Sequence, residues 1–463
     1  MAIDISCRLI LSIMAFFMFF VTQMIRSNLY IAIVAMIEYK NITVINNSTN
    51  DENKLYWEKN YIGILQGSFY WCFWITELPG AILAQRFGGR KILGTSIFIA
   101  AITNFIFPTA AKTHPLLASV VRALQGLSLG VTWPAMHNLS GKWIPKNERS
   151  KFMTTYQGTA IGSAISYPMN GLLIEAFGWE IVFYLTGVVT LVWTIFWWNL
   201  VYDSPSKHPR ISEAEKEYLQ NEISQIDKHI KLRTPWRSIL RSMPFWAVLI
   251  ASQGVIWCAI TLQMQLPIYF DQIHNLNIKT NGLLLGIPDI FKFFFSCVFS
   301  SIMDYLLKSN KLSLTVIRKI AVGVSELGPA TLLLILGYWG STSPVMAMII
   351  ITLIVSFGGA CSSGNLANII DIAPNFAGVI LGLIQTLCVI SGVLSPIIAS
   401  AILSNQNSPI EWFFVFGIIA SIQIITYTVY LKYGSGQIQT WNEPIINKCS
   451  EDETPELKSL TEN

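Results

Sequence analysis

Arg26 stands inside an apolar run, residues 9–37, that reads LILSIMAFFMFFVTQMIRSNLYIAIVAMI. A guanidinium keeps its charge in proteins, and placing it in hydrocarbon costs roughly 3 kcal/mol or more. Such a residue therefore faces water-filled space or an anion, and its planar fork of donors suits a carboxylate or phosphate. Arg122, near the start of another apolar run, is the second candidate for anion binding or gating. Glu77 and Glu326 are acids within apolar runs, where a carboxyl that takes up and releases a proton can couple transport to a gradient. Each also has a plainer reading as an ion-pair partner: Glu77 of the arginines in the loop that follows it, Glu326 of Arg318 and Lys319. His137 can carry a proton, because imidazole titrates near physiological pH, or can close a helix end with a hydrogen bond. Asp289 and Lys292, three positions apart, share one helix face, where they neutralise each other or line a polar path.

The elements that carry these residues are membrane helices. Apolar residues make up 52% of the 463 and charged residues only 13%, about half the charged share of a soluble domain. The chain is therefore read as an integral membrane protein. Its net charge of +4 is carried by loops and does not point to nucleic acid. Of the seven cysteines, Cys72, Cys258, Cys297, Cys361 and Cys388 fall in apolar runs, so no disulfide framework is expected. The first run is too long for a cleavable signal peptide and lacks its small-residue site. No metal-ligand cluster, nucleophile elbow or phosphate-cradling loop is present, so neither an enzyme nor a cofactor nor a bound metal is expected.

Hydropathy yields about twelve spans. The expected organisation is a short N-terminus (1–8), a six-helix bundle (9–202), a linker (203–242), a second six-helix bundle (243–432) and an acidic tail (433–463). Two repeated halves around a midplane site is the layout of a secondary carrier. Lysines and arginines crowd alternate loops, including Arg86, Arg90 and Lys91, then Lys142, Lys146, Arg149 and Lys151, then Lys308, Lys311, Arg318 and Lys319. The excess places those loops and both termini in the cytosol. Asn41, Asn46 and Asn47 begin glycosylation sequons in the loop after the first span, on the face this rule puts outside. In the linker, Ser212-Glu-Ala-Glu215 has capping-box spacing and opens a charged helix, read as a solvated strap between the halves.

Between spans two and three stands Gly80-Ala-Ile-Leu-Ala-Gln-Arg86-Phe-Gly88-Gly89-Arg90-Lys91, which resembles the signature loop of the major facilitator superfamily. Ser301-Ile-Met-Asp304-Tyr-Leu-Leu-Lys308 is its fainter echo in the second half, and Gln85 replaces an acid usual in the first. Arg26-Ser-Asn-Leu-Tyr-Ile-Ala-Ile-Val is similar to the first span of the family that contains sialin, the vesicular glutamate transporters and the type I phosphate transporters, the anion:cation symporters. Arg122-Ala-Leu-Gln-Gly-Leu, Gly130-Val-Thr-Trp-Pro134-Ala-Met-His137, Gly358-Gly-Ala-Cys-Ser-Ser-Gly364 and Asp371-Ile-Ala-Pro374 carry the same resemblance, which is nearest the sialin-like members.

The resemblance implies an all-α membrane protein of twelve helices in two six-helix bundles. It implies a symporter of organic or inorganic anions, expected to be monomeric and driven by protons, sodium or membrane potential. Arg26 matches the family's substrate-binding arginine and Arg122 an arginine of span four. Gly80, Arg86, Gly88, Gly89, Arg90 and Asp304 match its conformational motif. Two positions depart from the pattern. The glutamate tied to proton coupling falls at Leu129, and the span-seven arginine of the glutamate carriers falls at Val255. Glu77, Glu326 and His137 are then the candidates to replace the missing acid. A sodium-dependent phosphate cotransporter is the alternative within the class, and a non-transporting anion sensor the alternative outside it. The expected membrane is the plasma membrane or that of a lysosome or vesicle.

Overall fold

The computed structural model describes residues 6–39, 55–57, 59–145, 148, 152, 154–224, 234–309, 311–403 and 408–442. Twelve long helical stretches dominate it. They are α1 (Cys7–Met36), α2 (Lys59–Phe87), α3 (Gly89–Thr113), α4 (Pro115–Trp143), α5 (Gly158–Phe177) and α6 (Glu180–Leu200), then α7 (Met243–His274), α8 (Ile278–Lys308), α9 (Leu314–Trp339), α10 (Pro344–Ile372), α11 (Ala377–Ile402) and α12 (Pro409–Tyr433). Ten of them meet the length and apolarity of a membrane span among the described residues. The other two, α2 and α5, are diluted by polar residues, Gln66, Ser68, Thr76 and Glu77, and Ser163, Ser166 and Asn170, of which Gln66, Glu77 and Ser163 stand at the boundary between the halves. Two short parallel strands, β1 (Ile37–Tyr39) and β2 (Leu55–Trp57), tie the end of α1 to the start of α2.

Starts and breaks follow local chemistry. Ser6, Asn277 and Ser313 accept from the backbone of Leu9, Thr280 and Val316, which caps α1, α8 and α9. Within α4 the helix is interrupted between Leu129 and Thr132, and within α10 between Gly358 and Asn365. Large apolar side chains such as Ile82, Ile195, Phe196, Phe294 and Val345 face outward, the surface a bilayer would cover.

In the first half α1 packs on α5, α2 on α4, and α3 on α4 and α6. In the second, α7 packs on α11 and α12, α8 on α10, and α9 on α10 and α12. The main pairings that join the halves are α5 with α8, α2 with α11, and α1 with α7. They are tightest on the face remote from the chain termini, called here the far face. A Cβ built on Gly282 would lie 2.6 Å from the Tyr167 carbonyl, and one on Gly171 would lie 2.8 Å from the Ile278 carbonyl. Glycine is what allows α5 and α8 to touch backbone to backbone. Gln265 donates to the Gln66 amide oxygen (3.0 Å) and Gln66 to the Met264 carbonyl (3.1 Å), while Lys279 pairs with Glu175 at 3.3 Å.

The linker is not a free strap. Its helix, Glu213–Ser224, opens as the capping box predicts, with the Glu215 N–H donating to Ser212 Oγ at 3.2 Å. The Glu215 carboxylate, however, accepts from the backbone N–H of Cys7 (3.0 Å) and Arg8 (3.2 Å) and from Arg8 Nε (3.0 Å). The linker thus caps α1, whose first N–H groups would otherwise lack acceptors. Arg8 Nη1 also grips both carboxylate oxygens of Glu148, at 2.7 and 2.8 Å. Beside this clamp His208 Nδ1 lies 3.5 Å from Cys7 Sγ, and burial lowers the His208 pKa below its usual value. Sequence reading missed the docking because nothing in the Ser212–Glu215 spacing says that the glutamate serves a different helix.

Candidate functional site

A cavity of about 450 Å³ opens between the halves at mid-depth, lined from α1, α2, α4 and α5 on one side and from α7, α8, α10 and α11 on the other. Its wall includes Arg26, Glu77, Asp289 and Lys292, with Gln23, Gln263 and Gln385 supplying amides. The thiols of Cys361 and Cys388 also belong to it.

Arg26 is placed by α2. Its guanidinium carbon lies 5.3 Å from the Phe69 ring centre and 5.1 Å from that of Phe73, so two aromatic faces hold the cation. Phe69 in turn is set by α4: a Cβ on Gly126 would come within 1.7 Å of the Phe69 carbonyl oxygen. Among the described residues no carboxylate lies within ion-pair distance of Arg26, and its Nε is buried without a partner. The arginine is thus oriented on the cavity wall with no carboxylate neutralising it among the described residues.

Arg122 does not line this cavity. It is 1% exposed, and its Nη1 donates to the Ile25 carbonyl (2.9 Å) and the Gln125 side-chain oxygen (2.8 Å). Its Nη2 donates to the Arg26 carbonyl at 3.2 Å. The geometry makes it a brace for α1 at the level of Arg26 and leaves it no path to a substrate in this conformation.

The acids divide similarly. Glu77 sits on the cavity wall facing α11, and Arg26 is the cation that acts on it. Its Oε2 has no partner. The expected pairing with loop arginines is absent among the described residues, since Arg86 is exposed and leans over Phe87. Glu326 is fully buried inside the second half and off the cavity. Thr426 donates to its Oε2 at 2.7 Å, and Oε1 is unpartnered. The expected pair with Arg318 is corrected here: Arg318 binds Asp371 (2.6 Å) and the Ser363 carbonyl (2.7 Å) instead. His137 stands one layer behind the wall, with Nδ1 3.2 Å from the hydroxyl of Tyr156, whose ring lines the cavity. Leu129 is packed in the core of the first half.

Asp289 and Lys292 share a face of α8 as expected, yet they do not close an ion pair among the described residues. Across the boundary, Ser163 of α5 lines the same wall and accepts from Gln23 at 2.9 Å. Val255 lines a smaller chamber of about 90 Å³ beside these two residues.

The loop motif is anchored within its own half. Gly88 has φ +94°, and a Cβ there would lie 2.6 Å from the Asp203 carboxylate. That carboxylate accepts from the Arg90 N–H at 2.8 Å, while the Arg90 side chain donates to the Trp198 carbonyl and lies over Tyr202. Gly80 and Gly89 pack against α4, and Asp304 is exposed at the end of α8. Asp203 was invisible as a partner because it stands more than a hundred residues away, beyond α6. Asn41, Asn46 and Asn47 lie outside the described residues.

The Major Facilitator Superfamily model matches residues 15–396. Human sialin is 35% identical over 459 residues, covering 94% of this chain and 91% of its own. Mouse vesicular glutamate transporter 2 is 34% identical, covering 94% of this chain and 75% of its own. The chain belongs to this family of membrane transporters. Among solved structures, a D-xylose–proton symporter superposes with a TM-score of 0.67 at 14% identity, covering 93% of this chain and 98% of its own. A bacterial Spinster homologue in an inward-facing, unoccupied conformation gives 0.67 at 11% identity, covering 93% and 98%. These share the fold. A multi-pass facilitator superfamily protein of this family is a transporter and not an enzyme.

Proposed function

We propose that this transporter carries small organic anions by alternating access, with Arg26 as the substrate-binding cation and Glu77 as the group that couples a proton. The observation that carries the reading is Arg26 itself: a cation held by two aromatic rings, on the wall of a cavity between the halves, with no carboxylate paired to it. Vesicular glutamate transporter 2, a relative, is named for an anion. The two bundles, 9–202 and 243–432, rock about the cavity, and the linker 203–242 joins them. With both termini in the cytosol, the tight far face looks outward or into a lumen, and the structure is the inward-open state.

Glu77 supports the coupling role because it shares the cavity with Arg26 and with Gln385 and Cys388 of α11 in the other half. A carboxyl in that position senses both the substrate-binding cation and the relative position of the halves. Glu326 lacks both connections. Uptake of an anion panel into proteoliposomes, under separately imposed proton, sodium and electrical gradients, tests the reading. Accumulation that follows an inward proton gradient and is lost in Arg26→Ala supports it. Accumulation that follows sodium and ignores protons moves the assignment to the phosphate-cotransporter alternative.

A further inference from the structure

The second half presents an anion-holding surface of its own to the same cavity. Lys292 lines the cavity, and among the described residues its ammonium group enters no hydrogen bond or ion pair. Asp289, on the same face of α8, acts on it electrostatically but closes no ion pair with it. One turn along α8, Ser296 donates to the Gly359 carbonyl at 3.1 Å, and its hydroxyl lies 3.1 Å from that of Ser362. Both serines line the cavity. The chain of α10 is broken at this point, and the eight-residue helix Asn365–Ile372 restarts immediately after it. Its first N–H groups have no acceptors within the helix, and the dipole makes that end favour negative charge. Asn365, 3% exposed, leaves both polar atoms of its side chain without a partner. Ser362 Oγ lies 3.1 Å from the same Gly359 carbonyl that Ser296 uses, so the two hydroxyls share one acceptor and can rotate toward a ligand. An unpaired cation on the cavity wall beside two hydroxyls is a donor set an oxyanion recruits.

We infer that Lys292, Ser296 and Ser362 form a second anion subsite, which holds a carboxylate or phosphate group at the far end of a substrate whose first acidic group sits on Arg26. The inference rests on the Arg26 reading and specifies the substrate class as organic acids with two anionic groups. Such a molecule spans the halves, so its two ends are bound together only when both halves approach it. An acid with one anionic group leaves Lys292 unpaired.

Matched acids that differ only in the second group test this in proteoliposomes containing the full-length transporter: butyrate, succinate and 3-phosphopropionate. The wild type is expected to take up succinate or 3-phosphopropionate with kcat/KM at least about tenfold above butyrate, the ratio that one charge-assisted contact of about 1.4 kcal/mol supplies. The better of the two identifies the group as carboxylate or phosphate. Lys292→Met should bring that ratio to near one, Lys292→Arg should keep most of it, and Ser296→Ala with Ser362→Ala should lower it about threefold. A wild type with no preference, or a Lys292→Met variant that keeps it while remaining monodisperse, overturns the subsite. Arg26→Ala should lose all three acids. If it does not, the Arg26 reading fails, and the Lys292 ratios still report on the subsite separately.

Discussion

The guanidinium of Arg122 donates to the backbone carbonyl of Arg26 at 3.2 Å, so one buried arginine of α4 fixes the level at which another arginine of α1 enters the cavity. The two resemble each other in sequence and divide the work in space. Of the two, only Arg26 lines the cavity.

Replacing Arg26 by alanine is therefore expected to abolish anion uptake while the protein still folds and reaches the membrane. Arg26→Lys keeps the charge but loses the planar, two-pronged grip, and KM should rise about tenfold with a smaller change in kcat. Uptake kinetics beside size-exclusion profiles of the purified variants check both. An alanine variant with normal uptake would sink the central reading.

Arg122→Lys should act differently. The shorter reach of one ammonium cannot serve the Ile25 and Arg26 carbonyls and Gln125 together, so α1 relaxes and Arg26 is misplaced. Uptake should fall roughly 10- to 100-fold for every anion alike. A change in the order of preferred anions would instead show that Arg122 touches the substrate.

Glu77→Gln mimics the protonated acid permanently. Proton-driven accumulation should be lost, while exchange of anions across the membrane persists, because exchange needs no net proton movement. Counterflow and gradient-driven uptake measured on the same proteoliposomes separate the two. Loss of both would assign Glu77 a structural role.

Gly88→Ala forces a side chain into left-handed backbone and against Asp203. A cost of about 1–3 kcal/mol is expected, read as a lower thermal midpoint in detergent. Asp203→Asn should lower it less, since an amide oxygen can still accept from Arg90. Unchanged midpoints in both variants would remove the loop's anchoring role.

How much of this was legible in the sequence depends on the range of each interaction. Hydropathy is local, and the spans read from it agree with the helices to within a few residues at most ends. The breaks in α4 and α10 were not visible as breaks, because glycine and serine runs serve close packing equally well. Arg26 could be picked out, since an arginine deep in a long apolar run has few explanations. Arg122 could not be told from it, because which of two buried arginines meets the cavity is decided by the neighbouring helix. The same limit applies to Glu326 and Arg318, which are near in sequence yet turn to α12 and to Asp371. Asp289 and Lys292 were read from spacing alone as a neutralised pair or a polar lining; both line the cavity without closing a pair, which spacing along one helix cannot decide.

The far-face seal also bears on the balance between two facings. It is made of apposed glycine backbone, the Gln66 and Gln265 amides, and the half-exposed Lys279–Glu175 pair at 3.3 Å. Opening it hydrates neutral amides and releases a pair that water already reaches, and each such exchange is worth about 1 kcal/mol or less. Among the described residues, no salt bridge there is fully buried. The free-energy difference between the two facings is thus small enough that a bound anion, whose differential affinity for two states is typically about 1–3 kcal/mol, can shift the population toward one of them.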